Sequence, residues 1–161
     1  MDLNLRGKTA MITGASKGIG LATAEALAEE GADVWLAARS ADQLEANCAD
    51  LTARFGVKAT PCPADIRNPQ DLARLAAIAE GLDILVNNAG DIPAGRIDVV
   101  DEETWRHAWE LKVFGYINLC RPVFGATKAR WPSLRTSAVL NWSPMPTDLP
   151  LDVWILQYQI S

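Results

Sequence analysis

Three glycines, Gly14, Gly18 and Gly20, stand between an apolar run and a helix-like segment, and this constrains the chain most. Lys8 to Thr13 (KTAMIT) has the composition of a buried strand. Gly18 to Glu30 has that of a helix, stopped by Gly31. The unit then repeats. Asp33 to Ala38 (DVWLAA) is a second strand, and Ala41 to Phe55 a helix closed by Gly56. Val57 to Pro63 is a third strand, weakened by its prolines, and Asn68 to Glu80 a helix followed by Gly81. Leu82 to Asn87 (LDILVN) is a fourth strand, nearly all apolar. Strands of this kind are buried on both faces, which means a parallel sheet covered by helices. Strict β–α alternation with right-handed crossovers predicts an α/β, doubly wound parallel sheet.

A long helix is expected from Asp101 to Arg130, with acidic residues in its first turn to suit the helix dipole. Trp105, Trp109, Lys112 and Tyr116 fall on one stripe of it, and Pro122 is expected to kink it. The 161 residues fit one domain, and 49% apolar content excludes general disorder. A net charge of −5 argues against a nucleic-acid surface, and no apolar run has the length of a membrane span. Met1 to Lys8 shows no signal-peptide core. Cys48, Cys62 and Cys120 are odd in number and far apart, so reduced thiols in a cytoplasmic protein are expected rather than disulfides or zinc. His107, the one histidine, is expected to be a satisfied helix residue, and no metal site is expected.

Three motifs carry chemistry. In Thr13–Gly20 (TGASKGIG) the glycines permit a tight turn and close approach of a pyrophosphate, whose charge the free N–H groups at the helix start would meet. Asn87-Asn88-Ala89-Gly90 ends the fourth strand, where small residues leave a crevice and an asparagine can bond the neighbouring strand's backbone. The third is a substitution of charge. Sites for NAD place a carboxylate after the second strand, but here Ala38 is followed by Arg39 and Ser40. A guanidinium forks onto a 2′-phosphate, and Lys17 adds charge nearby, so NADP(H) is favoured over NAD(H). Asp65, after the third strand, suits either an adenine amino group or a helix cap.

TGASKGIG at 13–20, Asp65 and NNAG at 87–90 together resemble the short-chain dehydrogenase/reductase family, over about residues 5–130. The resemblance implies a Rossmann-type fold and hydride transfer between a nicotinamide and a carbonyl or alcohol. It implies that Gly14, Ser16, Lys17, Gly18, Ile19 and Gly20 line the cofactor's phosphates, and that Arg39 and Ser40 meet the 2′-phosphate. Asp65 and Ile66 would flank the adenine, and Asn88, Ala89 and Gly90 the adenosine ribose and the nicotinamide side. The family also pairs long helices, so a homo-oligomer through helix 101–130 is implied.

The catalytic pattern departs from the family's. Its acid/base tyrosine precedes a lysine by four residues; here Tyr116 precedes Cys120, and Tyr158 precedes only Gln159, Ile160 and Ser161. Ser143 poorly matches the family serine, and Lys112 occupies the position of the family's helix asparagine. An ammonium donates but cannot accept. Catalytic residues are therefore unassigned. Residues 131–161 contain no glycine, three of the six tryptophans, four of the nine prolines and only three charged residues. Apart from a short strand at Ser137 to Asn141, no α/β pattern continues there. The expectation is a dinucleotide-binding unit over 1–130 and an atypical tail over 131–161 in place of the family's catalytic part, with the sheet truncated after about four or five strands. An NADP(H)-dependent oxidoreductase, an inactive binding module and a frameshifted, non-functional fragment are all compatible with that layout.

Overall fold

The computed structural model describes residues 3–91, 93, 95, 96, 98–130 and 155–157. Among these residues five strands form one parallel sheet: β1 (Thr9–Thr13), β2 (Asp33–Ala38), β3 (Ala59–Pro63), β4 (Ile84–Asn87) and β5 (Ile155–Gln157). Their order is β3-β2-β1-β4-β5. The first four are the strands expected from the sequence, shortened by up to two residues at their starts. β5 extends the sheet beyond β4, with Val86 opposite Leu156. The strand expected at 137–141 lies outside the described residues.

Alternation along the strands makes two cores. Ala10, Ile12, Val34, Leu36, Ile84 and Val86 point to one face, where α1 (Gly18–Glu29) and α2 (Ala41–Phe55) cover them. Met11, Ala37, Cys62 and Leu85 point to the other, under α3 (Pro69–Ala79) and Tyr116, Leu119 and Val123 of α5 (Tyr116–Arg130). Helices on both faces are the doubly wound arrangement that the apolar strands require. The prolines of β3 are tolerated because β3 is the edge strand, where a missing N–H leaves no neighbour unpaired.

The expected long helix forms, with one difference. α4 (Glu102–Trp109) passes into a π-helical segment, Glu110–Gly115, before α5. The departure from α geometry thus lies N-terminal to Pro122, which sits inside α5. A π turn rotates the residues after it relative to those before it. The expected stripe therefore breaks. Tyr116 is buried, Trp105 and Lys112 are half-buried, and Trp109 is 57% exposed.

Candidate functional site

The site lies where β1 to β4 end. After Thr13 the chain turns, with the Gly14 N–H donating to the Ala37 carbonyl at 2.7 Å. From α2, Asn47 donates its Nδ2 to the Ser16 carbonyl at 3.0 Å and pins the loop from outside. The three glycines have different tasks. Gly14 has φ +69°, and a Cβ there would stand 2.8 Å from Ala89 Cα. A Cβ at Gly20 would run into the Gly14 carbonyl and reach within 2.5 Å of Asn88 Nδ2. Both positions are glycine because the loop, α1 and the end of β4 are packed backbone to backbone. Gly18 has φ +61° and open space where a Cβ would stand. Its freedom serves the turn and leaves room above the backbone.

Thr13 and Asn88 join the two motifs. The buried Thr13 Oγ1 accepts the backbone N–H groups of Asn88 at 3.0 Å and Ala89 at 3.1 Å. Asn88 Nδ2 donates to the carbonyls of Thr13 at 3.1 Å and Gly14 at 3.3 Å. This is the asparagine-to-neighbouring-strand bond expected from the sequence, with Thr13 as a partner the sequence did not single out. From the helix side, Tyr116 donates its hydroxyl to the Ala89 carbonyl at 2.5 Å. Burial, reinforced by Cys120, pushes the Tyr116 hydroxyl up to about 12. Tyr116 is thus a clamp on the 87–90 segment rather than a group poised to exchange a proton. Asn87 is fully buried, with Nδ2 donating to Cys120 Sγ at 3.0 Å and Oδ1 without a partner among the described residues.

The helix starts differ in kind. At α3, Asn68 accepts the N–H groups of Gln70 and Asp71 through its side chain. At α4, Asp101 accepts that of Thr104, which holds its carboxyl below the usual carboxylate range. At α1 and α2 the capping positions are Lys17 and Ser40, and neither side chain makes a capping bond. The first turn of α1 holds no acidic residue, whereas that of α2 holds Asp42. At the α1 start, N–H groups without a side-chain cap and the helix dipole then favour an anion. Lys17, Arg39 and Ser40 are exposed, and neither cation is in an ion pair with a described residue. This arrangement suits the phosphates of a dinucleotide: a glycine turn with open space, two helix starts without side-chain caps and two exposed cations.

On the β3 side, the helix-cap role considered for Asp65 belongs to Asn68. The Asp65 carboxylate is instead held by Arg67, whose Nε and Nη2 donate at 3.0 and 2.8 Å. Those bonds keep Asp65 below the usual carboxylate range. Arg67 also donates to His107 Nε2 on α4, so His107 is a satisfied helix residue. Ile66 is buried against Gly115, where a Cβ would come within 3.0 Å of its Cδ1. Arg67, Asn47 and Tyr116 are thus positioning residues that the sequence reading missed. Only the apolar stripe on helix 102–130 hinted at one of them, Tyr116.

Of the remaining candidates, Ser16, Asn88 and Ala89 are half-buried, while Gly18, Ile19 and Gly90 are exposed. Lys112 is half-buried beside Gly90. Ser143 and Tyr158 lie outside the described residues. The three cysteines are free, and no metal-binding cluster occurs among the described residues. No helix among them is long and apolar enough to cross a membrane.

A family model for the short chain dehydrogenases matches residues 8–133, and the chain belongs to that family. It is 37% identical over 115 residues to an uncharacterised oxidoreductase of Staphylococcus aureus strain N315, covering 69% of this chain and 48% of the relative. Among solved structures it resembles L-sorbose reductase from Gluconobacter frateurii complexed with NADPH and L-sorbose. That match has a TM-score of 0.75 and 38% identity, over 81% of this chain and 51% of the reductase. A short-chain dehydrogenase from Sphingobium yanoikuyae in complex with NADPH gives 0.72 and 32%, over 76% and 49%. The chain thus spans about half the length of the relatives it matches.

Proposed function

We propose that this chain is the NADP(H)-binding half of a short-chain-type oxidoreductase acting on a small carbonyl or alcohol. The observation that carries the reading is the pair of uncapped starts, α1 and α2, at the ends of adjacent strands. In this reading the α1 start, with Gly14, Ser16, Lys17, Gly18, Ile19 and Gly20, receives the pyrophosphate. The α2 start, with Arg39 and Ser40, receives the 2′-phosphate, where a carboxylate would have selected NAD(H). Asp65 and Ile66 flank the adenine, and Asn88, Ala89 and Gly90 the adenosine ribose and the nicotinamide side. NADPH in two structural neighbours supports the same cofactor. The cofactor supplies the hydride; the chain binds and orients it.

These 161 residues contain no Tyr-x-x-x-Lys, and the Tyr116 hydroxyl is committed to Ala89. That favours binding without turnover by these 161 residues, with residues 1–130 as the binding unit and 131–161 as an atypical tail. A cytoplasmic setting suits three free thiols. Trp109, Phe114, Ile117 and Phe124 are exposed on helix 102–130, which supports a homo-oligomer through that helix. The test is steady-state NADPH-dependent reduction of a carbonyl panel, run beside a full-length relative. The expected rate is at least tenfold below the relative's at saturating NADPH. A rate within tenfold would overturn the assignment to binding alone.

A further inference from the structure

An ammonium drawn out of water costs free energy unless an anion or oxygen lone pairs replace its hydration. Lys112 is half-buried and in no ion pair with a described residue. Its Nζ lies 3.6 Å, and its Cδ 3.7 Å, from where a Cβ on Gly90 would stand. The lysine stem therefore crosses an exposed glycine at the mouth of β4, with no side chain from that glycine between them. Lys112 sits inside the π-helical segment Glu110–Gly115, a departure from regular helix that is frequent at functional sites.

The strand order says which part of a ligand would meet it. β2 and β3 place Arg39 and Asp65 on one side of the glycine loop that follows β1, and β4 places Gly90 on the other. A dinucleotide with its pyrophosphate at the start of α1 extends both ways. Its phosphorylated adenosine runs toward Arg39 and its nicotinamide riboside toward Gly90. We infer that Lys112 is a dinucleotide-binding residue, whose ammonium donates to a ribose or phosphate oxygen of the nicotinamide half as that half passes over Gly90. The inference rests on the NADP(H)-binding reading above. An ammonium has three donors and no acceptor, which suits hydroxyl and phosphate oxygens.

The test separates the two halves of the ligand. The full chain is titrated by calorimetry with NADPH and with 2′,5′-ADP, which lacks the nicotinamide half, as wild type, Lys112→Gln, Lys112→Arg and Arg39→Ala. Lys112→Gln is expected to weaken NADPH about tenfold, the scale of one charge-assisted hydrogen bond. It is expected to leave 2′,5′-ADP within twofold, while Lys112→Arg keeps most of the NADPH affinity. Arg39→Ala is expected to weaken both ligands. If Lys112→Gln changes NADPH no more than 2′,5′-ADP, this inference falls and the binding reading stands. If the wild-type chain binds neither ligand, both fall.

Discussion

The starts of α1 and α2 differ from those of α3 and α4 in how their backbone N–H groups are met. Asn68 and Asp101 close the latter pair with side-chain caps. Lys17 and Ser40 leave the former pair open, beside exposed cations. A side-chain cap is worth about 1 kcal/mol to a helix, so an open start forgoes stability that a ligand can return. The glycines divide in the same way. Gly14 and Gly20 are filled by protein, whereas Gly18 faces open space.

The largest test of this division is Gly20→Ala. Its Cβ meets backbone that cannot move aside cheaply, so urea unfolding should show a loss of about 3 kcal/mol. Gly18→Ala meets nothing and costs only the strain of a positive φ, about 1–2 kcal/mol, yet should abolish measurable NADPH binding. Equal stability losses at the two glycines would erase the distinction.

Thr13→Val comes next. It removes the acceptor of two backbone N–H groups and should cost about 2–3 kcal/mol by the same measurement. Asn68→Ala should cost about 1 kcal/mol, the loss of a cap. Ser40→Ala should change stability by less than about 0.5 kcal/mol while weakening NADPH more than NADH. A stability loss at Ser40 as large as at Asn68 would contradict the open start of α2.

The smallest effect is at Asp65. Arg67 lowers its folded pKa, so its contribution is complete above the ordinary carboxylate range of about 4 and is lost as pH falls through the lowered folded value. Urea midpoints measured from about pH 5 down to pH 2 should fall less steeply in Asp65→Asn than in wild type. Parallel slopes would show that the Asp65–Arg67 pair contributes nothing.

What the sequence revealed and what it hid follow from the range of the interactions. The strands, the glycine turn and the small residues after β4 are local signals, and they appear where periodicity and glycine spacing put them. An asparagine after β4 could be matched to the neighbouring strand because its short amide readily bonds nearby backbone groups. Its partner Thr13 is 75 residues away and looks like any strand threonine. Arg67 was hidden because a cation two residues after Asp65 resembles a solvated loop residue. The helix stripe failed between Trp109 and Tyr116 for a different reason. Counting by fours and threes assumes 3.6 residues per turn, and the π turn at 110–115 breaks that count without any local mark in the sequence. The edge prolines of β3 show the converse, where a feature that weakens a strand in isolation fits once its neighbour on that side is missing.

The central claim is that the open starts of α1 and α2 hold a dinucleotide bearing a 2′-phosphate. Calorimetric titration of the purified 161-residue chain with NADPH and NADH tests it most directly. Saturable binding of one NADPH per chain, at least tenfold tighter than NADH, is expected. No binding of either cofactor, or NADH bound as tightly as NADPH, would contradict it.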